Sequence, residues 1–340
     1  WLKLSLLQLP YAILVCTTSG LPDPPVREEH MARTLRSALV AALALSAAAP
    51  VSAVTQGLRA AQGLQAAETS KPGWKHRMQI FQRFINSTLD TVSHWRVEPA
   101  QKTDRVAVTI LQPATPEHIA QMAYVIRSNL HRLGPDWALQ VFYGTEEERA
   151  GLDEALGKPK GVIWSPIMLQ GKRRVSLNHG ECSYFRLSDG FWGAMRPEHE
   201  HVLVFESDSL LRKRGCVDEY VDNGYDYVGA PWGMGARWGP PAVGGNGGFS
   251  LRRLSTILSA VRSPEMAELI GEDPDLFTEN EDSTLVKLLL QRNATFPPRE
   301  SAMRFSVEIV FHPTPCAFHK PWANLGEDAV KTLMKDIDMY

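Results

Sequence analysis

Residues 105–143 read RVAVTILQPATPEHIAQMAYVIRSNLHRLGPDWALQVFY. The two ends, Val106–Leu111 and Ala138–Tyr143, are short apolar runs rich in β-branched and aromatic residues, the composition of strands buried on both faces. Between them Pro116–Leu133 has helical length, and it opens on Thr115, a good N-cap, with Pro116 at the first helical position. Strand, helix and strand in that order predict a βαβ unit, whose strands pair in parallel through the helical crossover.

The alternation continues downstream. The pattern predicts a strand at Arg174–Leu177, a helix at Cys182–Met195, a strongly apolar strand at His201–Phe205, a helix at Cys216–Asn223 and a strand at Tyr225–Ala230. Helices at Arg253–Arg262 and Glu281–Arg292 follow, separated by segments rich in Gly and Pro. Upstream, Trp74, Met78, Phe81, Phe84, Ile85, Leu89, Val92 and Trp95 recur at helical spacing and predict an amphipathic helix packed on the domain. The fold class expected is α/β, a Rossmann-like mixed and mostly parallel sheet with helices on both faces, in a single domain spanning 74–340. In such sheets ligands collect at the carboxyl ends of the strands.

The remaining N-terminal residues read differently. The first methionine, Met31, opens a basic MARTLR segment followed by an apolar run from Ala38 to Ala49 and the small residues Val51-Ser52-Ala53. That order is the secretory pattern, so 31–53 is expected to be a signal peptide cleaved after Ala53, with a retained signal anchor as the alternative. Residues 1–30 would then be upstream translation without function, and 54–73, rich in Ala, Gln, Gly and Ser, a flexible stem. Membrane association is expected only if the signal segment is kept as an anchor; otherwise the protein is lumenal in the Golgi or endoplasmic reticulum, or secreted. The sequons Asn86-Ser-Thr88 and Asn293-Ala-Thr295 agree with that compartment. With Cys16 in the discounted segment, Cys182, Cys216 and Cys316 allow one disulfide and one free thiol, with the pairing open. A formal net charge of -2 and the lack of a basic stripe argue against nucleic acid as a partner. No Cys/His spacing indicates structural zinc.

Four segments carry candidate chemistry. His201–Ser209 (HVLVFESDS) is an apolar strand ending in Glu206 and Asp208, whose side chains alternate onto one side and can share a divalent cation. A helix cap or solvated turn is the plainer reading. Val243–Arg252 (VGGNGGFSLR) places Gly245, Asn246, Gly247 and Gly248 where backbone N–H groups can meet a sugar or phosphate, unless it is a surface turn. Trp232 and Trp238 flank that loop, either as flat faces for an acceptor sugar or as buried anchors. Thr278–Thr284 starts a helix with Glu281 and Asp282, either dipole-stabilised capping acids or a general base for an acceptor hydroxyl. His319, between aromatic residues in CAFHKPW, is a satisfied surface or core histidine or a third metal ligand.

The co-linear order of these segments resembles that of GT-A nucleotide-sugar glycosyltransferases: acidic metal motif, glycine loop, acidic catalytic motif, C-terminal histidine. More closely, WALQVFYG, VLVFESDS, YDYVGAPW, GNGGFSLR, NEDS and FHKPW look like a eukaryotic family of unknown function related to those enzymes, over roughly Arg105 to Trp322. The resemblance implies a GT-A-like fold and a metal-dependent glycosyltransferase, moving a sugar from a nucleotide-diphosphate donor to a hydroxyl of a glycan or glycoprotein acceptor. It further implies Mn²⁺ or Mg²⁺ held by Asp208 and Glu206 with His319 at metal or diphosphate, the Gly245–Gly248 loop placing the donor sugar, and Asp282, beside Glu281, as base in a single inverting displacement. Glu206 departs from the Asp common at that position, which leaves Asp208 the firmer ligand. A non-catalytic carbohydrate-binding protein and a metal-dependent phosphoester hydrolase are the rivals.

Overall fold

The computed structural model describes residues 4–6, 14–16, 73–112, 115–233, 245–271, 273–274 and 277–339. In the unit Trp1–Thr69, strands β1 (Leu4–Leu6) and β2 (Leu14–Cys16) pair antiparallel. The segment expected to be a signal, 31–53, lies outside the described residues, as does the stem up to residue 72. Among the described residues no helix is long and apolar enough to cross a membrane.

The unit Ser70–Tyr340 holds the remaining strands in chain order: β3 (Arg105–Leu111), β4 (Ala138–Tyr143), β5 (Ile163–Pro166), β6 (Met168–Leu169), β7 (Lys172–Arg173), β8 (His201–Phe205), β9 (Ser209–Leu211), β10 (Tyr227–Ala230), β11 (Asn246–Arg253), β12 (Ser306–Val307) and β13 (Ala317–His319). The central sheet has the order β10-β11-β8-β3-β4-β5. β8, β3, β4 and β5 are parallel neighbours, whereas β11 runs antiparallel to both β8 and β10. The sheet is therefore mixed and mostly parallel, with β11 the reversed strand.

Two-residue periodicity divides the core between the faces of this sheet. Ala107, Leu111, Leu139, Val141, Leu203, Phe205, Phe249 and Leu251 face the helices Trp74–Ser93 and Pro116–Leu133 and the C-terminal helix Glu327–Lys335. Val106, Val108, Ile110, Ala138, Phe142, Val202 and Val204 face the helices His179–Arg186, Leu254–Val261 and Glu281–Gln291. The βαβ unit has the expected boundaries, with the Thr115 hydroxyl accepting the His118 N–H at 3.2 Å as N-cap.

Three sequence expectations need correction. Arg174–Leu177 is not a strand: the Arg174 N–H bonds to the Ile167 carbonyl just past the β6–β7 pair, and the Leu177 N–H turns to the Gln112 side chain. The helix expected at Cys182–Met195 starts earlier, at His179, behind an Asn178/Glu181 capping box, and stops at Arg186. A separate turn of helix, Asp189–Trp192, follows, entered through Ser188. Gly190 allows that second turn, because a Cβ there would lie 2.3 Å from the Met168 carbonyl oxygen. The glycine segment is a central strand, β11, rather than a loop. The helix Glu146–Ala155, capped by Thr145 and Glu148, and the strands β5, β9, β12 and β13 are additions to the sequence reading.

β9, β12 and β13 form a second, three-stranded sheet in the order β12-β13-β9. β13 pairs antiparallel with β9, placing His319 opposite Ser209, and parallel with β12, pairing Val307 with Phe318. The small sheet thus carries the C-terminal segment back to the end of β8.

Candidate active site

β8 ends at Phe205, and the chain turns sharply over Glu206, Ser207 and Asp208 before entering β9. The Glu206 N–H donates to the Gly248 carbonyl at 2.9 Å, and the Ser209 hydroxyl donates to the Glu206 carbonyl at 2.7 Å, closing the turn. The Gln121 amide from the helix Pro116–Leu133 holds the Ser207 carbonyl at 2.8 Å. The β9–β13 register then delivers His319 beside the acidic pair.

The His319 Nε2 lies 3.2 Å from Asp208 Oδ1 and 3.3 Å from Glu206 Oε2. One donor atom from each of the three residues falls within 4.8 Å of the others. A cation 2.0–2.6 Å from each ligand spans donors no farther apart than about 5 Å, so the spacing accommodates one ion. The chemistry agrees: two carboxylates and one imidazole suit a hard or borderline divalent ion, and Asp208 Oδ1 is a buried oxygen that accepts no hydrogen bond among the described residues. The residues present fit a divalent cation.

Charges around this cluster are strongly coupled. Burial would raise the Glu206 carboxyl, but Arg186, whose Nη1 donates to Glu206 Oε1 at 2.5 Å, and then His319 outweigh it and hold the group well below the usual carboxylate range. Burial opposes a charge on His319, yet Asp208 foremost, with Glu206 and Glu308, holds the imidazole well above its ordinary value. With one Glu206 oxygen already held by Arg186, Asp208 is the freer cation ligand.

The second acidic motif reaches the same place through β11. Asp282 Oδ2 accepts the Gly247 N–H at 3.1 Å and the Asn246 amide at 3.4 Å, while Oδ1 accepts the Ser283 N–H at 2.7 Å. Burial, and next the neighbouring Glu281 charge, push the Asp282 carboxyl up to about 7 despite the Gly247 N–H. Glu281 turns inward, 5% exposed, accepting from Arg252 at 2.8 Å with Arg186 at 4.0 Å. Arg252 is itself buried between Trp192 and Tyr227, its guanidinium 5.3 Å and 5.1 Å from their ring centres. Glu281 is thereby a structural counter-ion, and Asp282 is the acid held toward the glycines.

Gly247 and Gly248 stand between the two motifs, and a side chain at either would displace a neighbouring site group. A Cβ at Gly247 would lie 2.4 Å from Glu281 Oε1, and one at Gly248 would lie 2.4 Å from His319 Nε2. Gly245 adopts φ +150° where the chain passes Gly229 and Ala230, with the Ala230 carbonyl 2.5 Å from where its Cβ would sit. Trp232 is 3% exposed and packs in the core, which makes it an anchor and removes it as an acceptor platform. Trp238 and residue 244 lie outside the described residues.

Several residues around the cluster were not singled out in the sequence. Lys320, exposed and in the left-handed region at φ 43°, donates its N–H to the Asp208 carbonyl at 3.0 Å. It lies inside the FHKPW motif, where a lysine carries no signal of its own beside the histidine. Glu308, 8% exposed, lies 3.5 Å from His319 Nδ1. His118, at the start of its helix, feels Asp208, although burial is the larger effect and lowers its pKa. Arg186 and Arg252 carry no sequence signal, since a buried arginine is recognised only once its carboxylate partner is located.

Residues 172–319 match the family described as a protein of unknown function, DUF5672. The DUF5672 match starts at β7 and ends on His319, so it takes in Arg186, Glu206, Asp208, the β11 glycines, Asp282 and Glu308. No curated protein matches the chain. Among solved structures, mouse xyloside xylosyltransferase 1 in its apo form is 13% identical, with a TM-score of 0.43, over 63% of this chain and 97% of that one. The galactosyltransferase LgtC, in complex with donor and acceptor sugar analogs, is 14% identical, with a TM-score of 0.42, over 68% of this chain and 96% of that one. The bifunctional glycosyltransferase WbbM, apo, is 10% identical, with a TM-score of 0.43, over 71% of this chain and 51% of that one.

Proposed function

We propose that the DUF5672-containing unit is a cation-dependent glycosyltransferase, transferring a sugar from a nucleoside-diphosphate donor to a hydroxyl of a glycan or glycoprotein acceptor. One observation carries the reading: Glu206, Asp208 and His319 gather within 4.8 Å of one another beside Gly248, and Asp282 is bonded to the next residue back, Gly247. A site for a cation and its bound diphosphate therefore adjoins a carboxyl suited to proton transfer.

In this reading Asp208, with Glu206 and His319, holds Mn²⁺ or Mg²⁺. The bound ion supplies positive charge opposite the departing diphosphate. Lys320, exposed and with its backbone N–H on the Asp208 carbonyl, would bring a second positive group to the same phosphates. Arg186 fixes Glu206 so that its second oxygen stays turned to His319. Asp282, with a carboxyl near 7, takes the proton of the acceptor hydroxyl at an ordinary working pH. A base acting directly on the acceptor implies single displacement with inversion.

Incubating the full chain with a panel of nucleotide sugars, with and without Mn²⁺, separates the possibilities. Metal-dependent transfer supports the reading; donor binding without turnover points to a carbohydrate-binding protein, and phosphate release alone to a phosphoester hydrolase. A product that keeps the donor's anomeric configuration would remove Asp282 from the role of base. We further propose a lumenal compartment of the secretory pathway, supported by the Cys216–Cys316 disulfide, which persists in oxidising surroundings.

A further inference from the structure

A histidine that ligates a cation must keep one ring nitrogen toward the ion and satisfy the other. The His319 Nε2 faces Asp208 and Glu206, and Nδ1 points the other way, to Glu308 Oε1 at 3.5 Å. Backbone pairing sets this contact. Val307 pairs with Phe318 across the parallel β12–β13 ladder, and the next step along both chains brings Glu308 alongside His319.

Glu308 is 8% exposed, and among the described residues its ion-pair partner is His319. A carboxylate buried away from any guanidinium or ammonium is costly unless something else compensates it. The facing imidazole is the charge partner the described residues give it: Nδ1 stands at ion-pair distance, 3.5 Å, and makes no closer hydrogen bond among them. Carboxylate, histidine and cation in a row fix the ring's tautomer and orientation and make the ligating nitrogen more basic.

We propose that Glu308 is a positioning residue for a divalent-cation site: it holds the His319 ring with Nδ1 protonated, so that Nε2, on giving up its proton to solvent as the ion enters, is presented to the ion shared by Asp208 and Glu206. The inference rests on the cation reading of that cluster, and adds a residue that touches neither ion nor substrate. The His319 ring is buried, 5% exposed, and the Glu308 carboxylate on its Nδ1 side favours the orientation in which Nε2 ligates.

The test is Mn²⁺ binding to the full chain by titration calorimetry, with electron spin-echo measurements of nitrogen coupling to the bound ion. Glu308→Ala is expected to weaken Mn²⁺ binding about 10- to 100-fold and to reduce or lose the imidazole coupling. Glu308→Gln, whose amide oxygen still accepts from Nδ1–H, is expected to recover most of the affinity and the coupling. Thermal unfolding in chelator is measured alongside. If Glu308→Ala lowers stability yet binds Mn²⁺ within twofold of the native chain and with unchanged nitrogen coupling, Glu308 is a packing residue and the proposal is overturned. Should Glu308→Ala not fold, equal affinities of native and Glu308→Asp, whose shorter arm cannot reach Nδ1 from the same backbone, would overturn it instead. If the native chain takes up no Mn²⁺ or Mg²⁺, the cation reading fails first, an outcome distinct from native binding that the Glu308 variants leave intact.

Discussion

A single methyl group tests the site most directly. Gly248→Ala would put a Cβ 2.4 Å from His319 Nε2 and 2.5 Å from its Cε1, closer than side chains approach, and His319 is pinned by its pairing with Ser209. The ring must leave the carboxylates, so Mn²⁺ binding is expected to fall at least tenfold while the protein stays folded; calorimetry reads it. Asp282 offers a test by pH. Its carboxyl is raised from 3.8 to about 7, chiefly by burial, so the folded chain binds a proton that the unfolded chain releases. The stability this contributes is full below about pH 4 and is lost as pH rises through about 7. Asp282→Asn, a mimic of the protonated form, should therefore gain stability over the native chain at pH 8 and much less at pH 5, measured by urea unfolding in chelator. The same substitution should cut transfer about 10²- to 10⁴-fold, the usual worth of a general base, and the native rate should climb with pH through about 7. At this scale the acids of 206 and 208 and the histidine could be read from sequence because they end an apolar strand or sit in an aromatic motif. Glu308 could not, because nothing in RFSVEIV distinguishes a carboxylate behind a ligand from one in water.

Elements that begin and end on their own local chemistry were readable. The helix Pro116–Leu133 has its Thr115 cap and proline start, and β8 has its unbroken apolar run. β11 was read as a loop because four of its residues or immediate neighbours are glycine, which has poor strand propensity. The glycines are there for contacts made by residues far along the chain, Glu281 and His319, and those contacts override propensity. β12 and β13 were missed for a related reason, being too short to show a period. What secures β13 is tertiary: the helix Trp74–Ser93 packs Phe81 against Phe318 and Trp322, at centroid distances of 6.2 and 4.6 Å, and Arg77 Nε donates to the Trp322 carbonyl at 2.9 Å. The disulfide adds a covalent tie, since Cys316 immediately precedes β13 and Cys216 lies shortly after β9. Closing a loop of sequence separation 100, it should contribute on the order of 3–5 kcal/mol by restricting the unfolded chain. The paired substitution Cys216→Ser and Cys316→Ser is expected to lower the unfolding free energy by about that amount, read by urea denaturation. Mn²⁺ affinity should change far less, because the β9–β13 hydrogen bonds that register His319 remain.

Across the whole Ser70–Tyr340 unit, the chemistry lies where the sheet changes direction. β8 belongs to the parallel half and pairs on its other side with the reversed β11, so the acidic turn ending β8 meets the beginning of β11. The parallel half could be read from alternating strands and helices; the reversal could not, because β11 lies inside the sheet, buried along both faces, and so lacks the alternation that marks a half-exposed antiparallel strand. Both cores are built on this one sheet, and β8 contributes to each, so cation binding at the end of β8 should be felt by the unit as a whole. An ion that binds the folded chain and not the unfolded one stabilises it by about 2.7 kcal/mol at a hundredfold excess over its dissociation constant. For a unit this large that is a rise in Tm of roughly 5–10 °C, taking about 2–4 °C per kcal/mol. Asp208→Asn removes the freer carboxylate and should abolish the shift, while its Tm in chelator stays near that of the native chain. Calorimetric scans of both proteins, with and without Mn²⁺, decide the matter. An equal rise in both would place the ion elsewhere on the molecule, and the junction of β8 and β11 would then be an ion-pair network holding the two cores together instead of a catalytic centre.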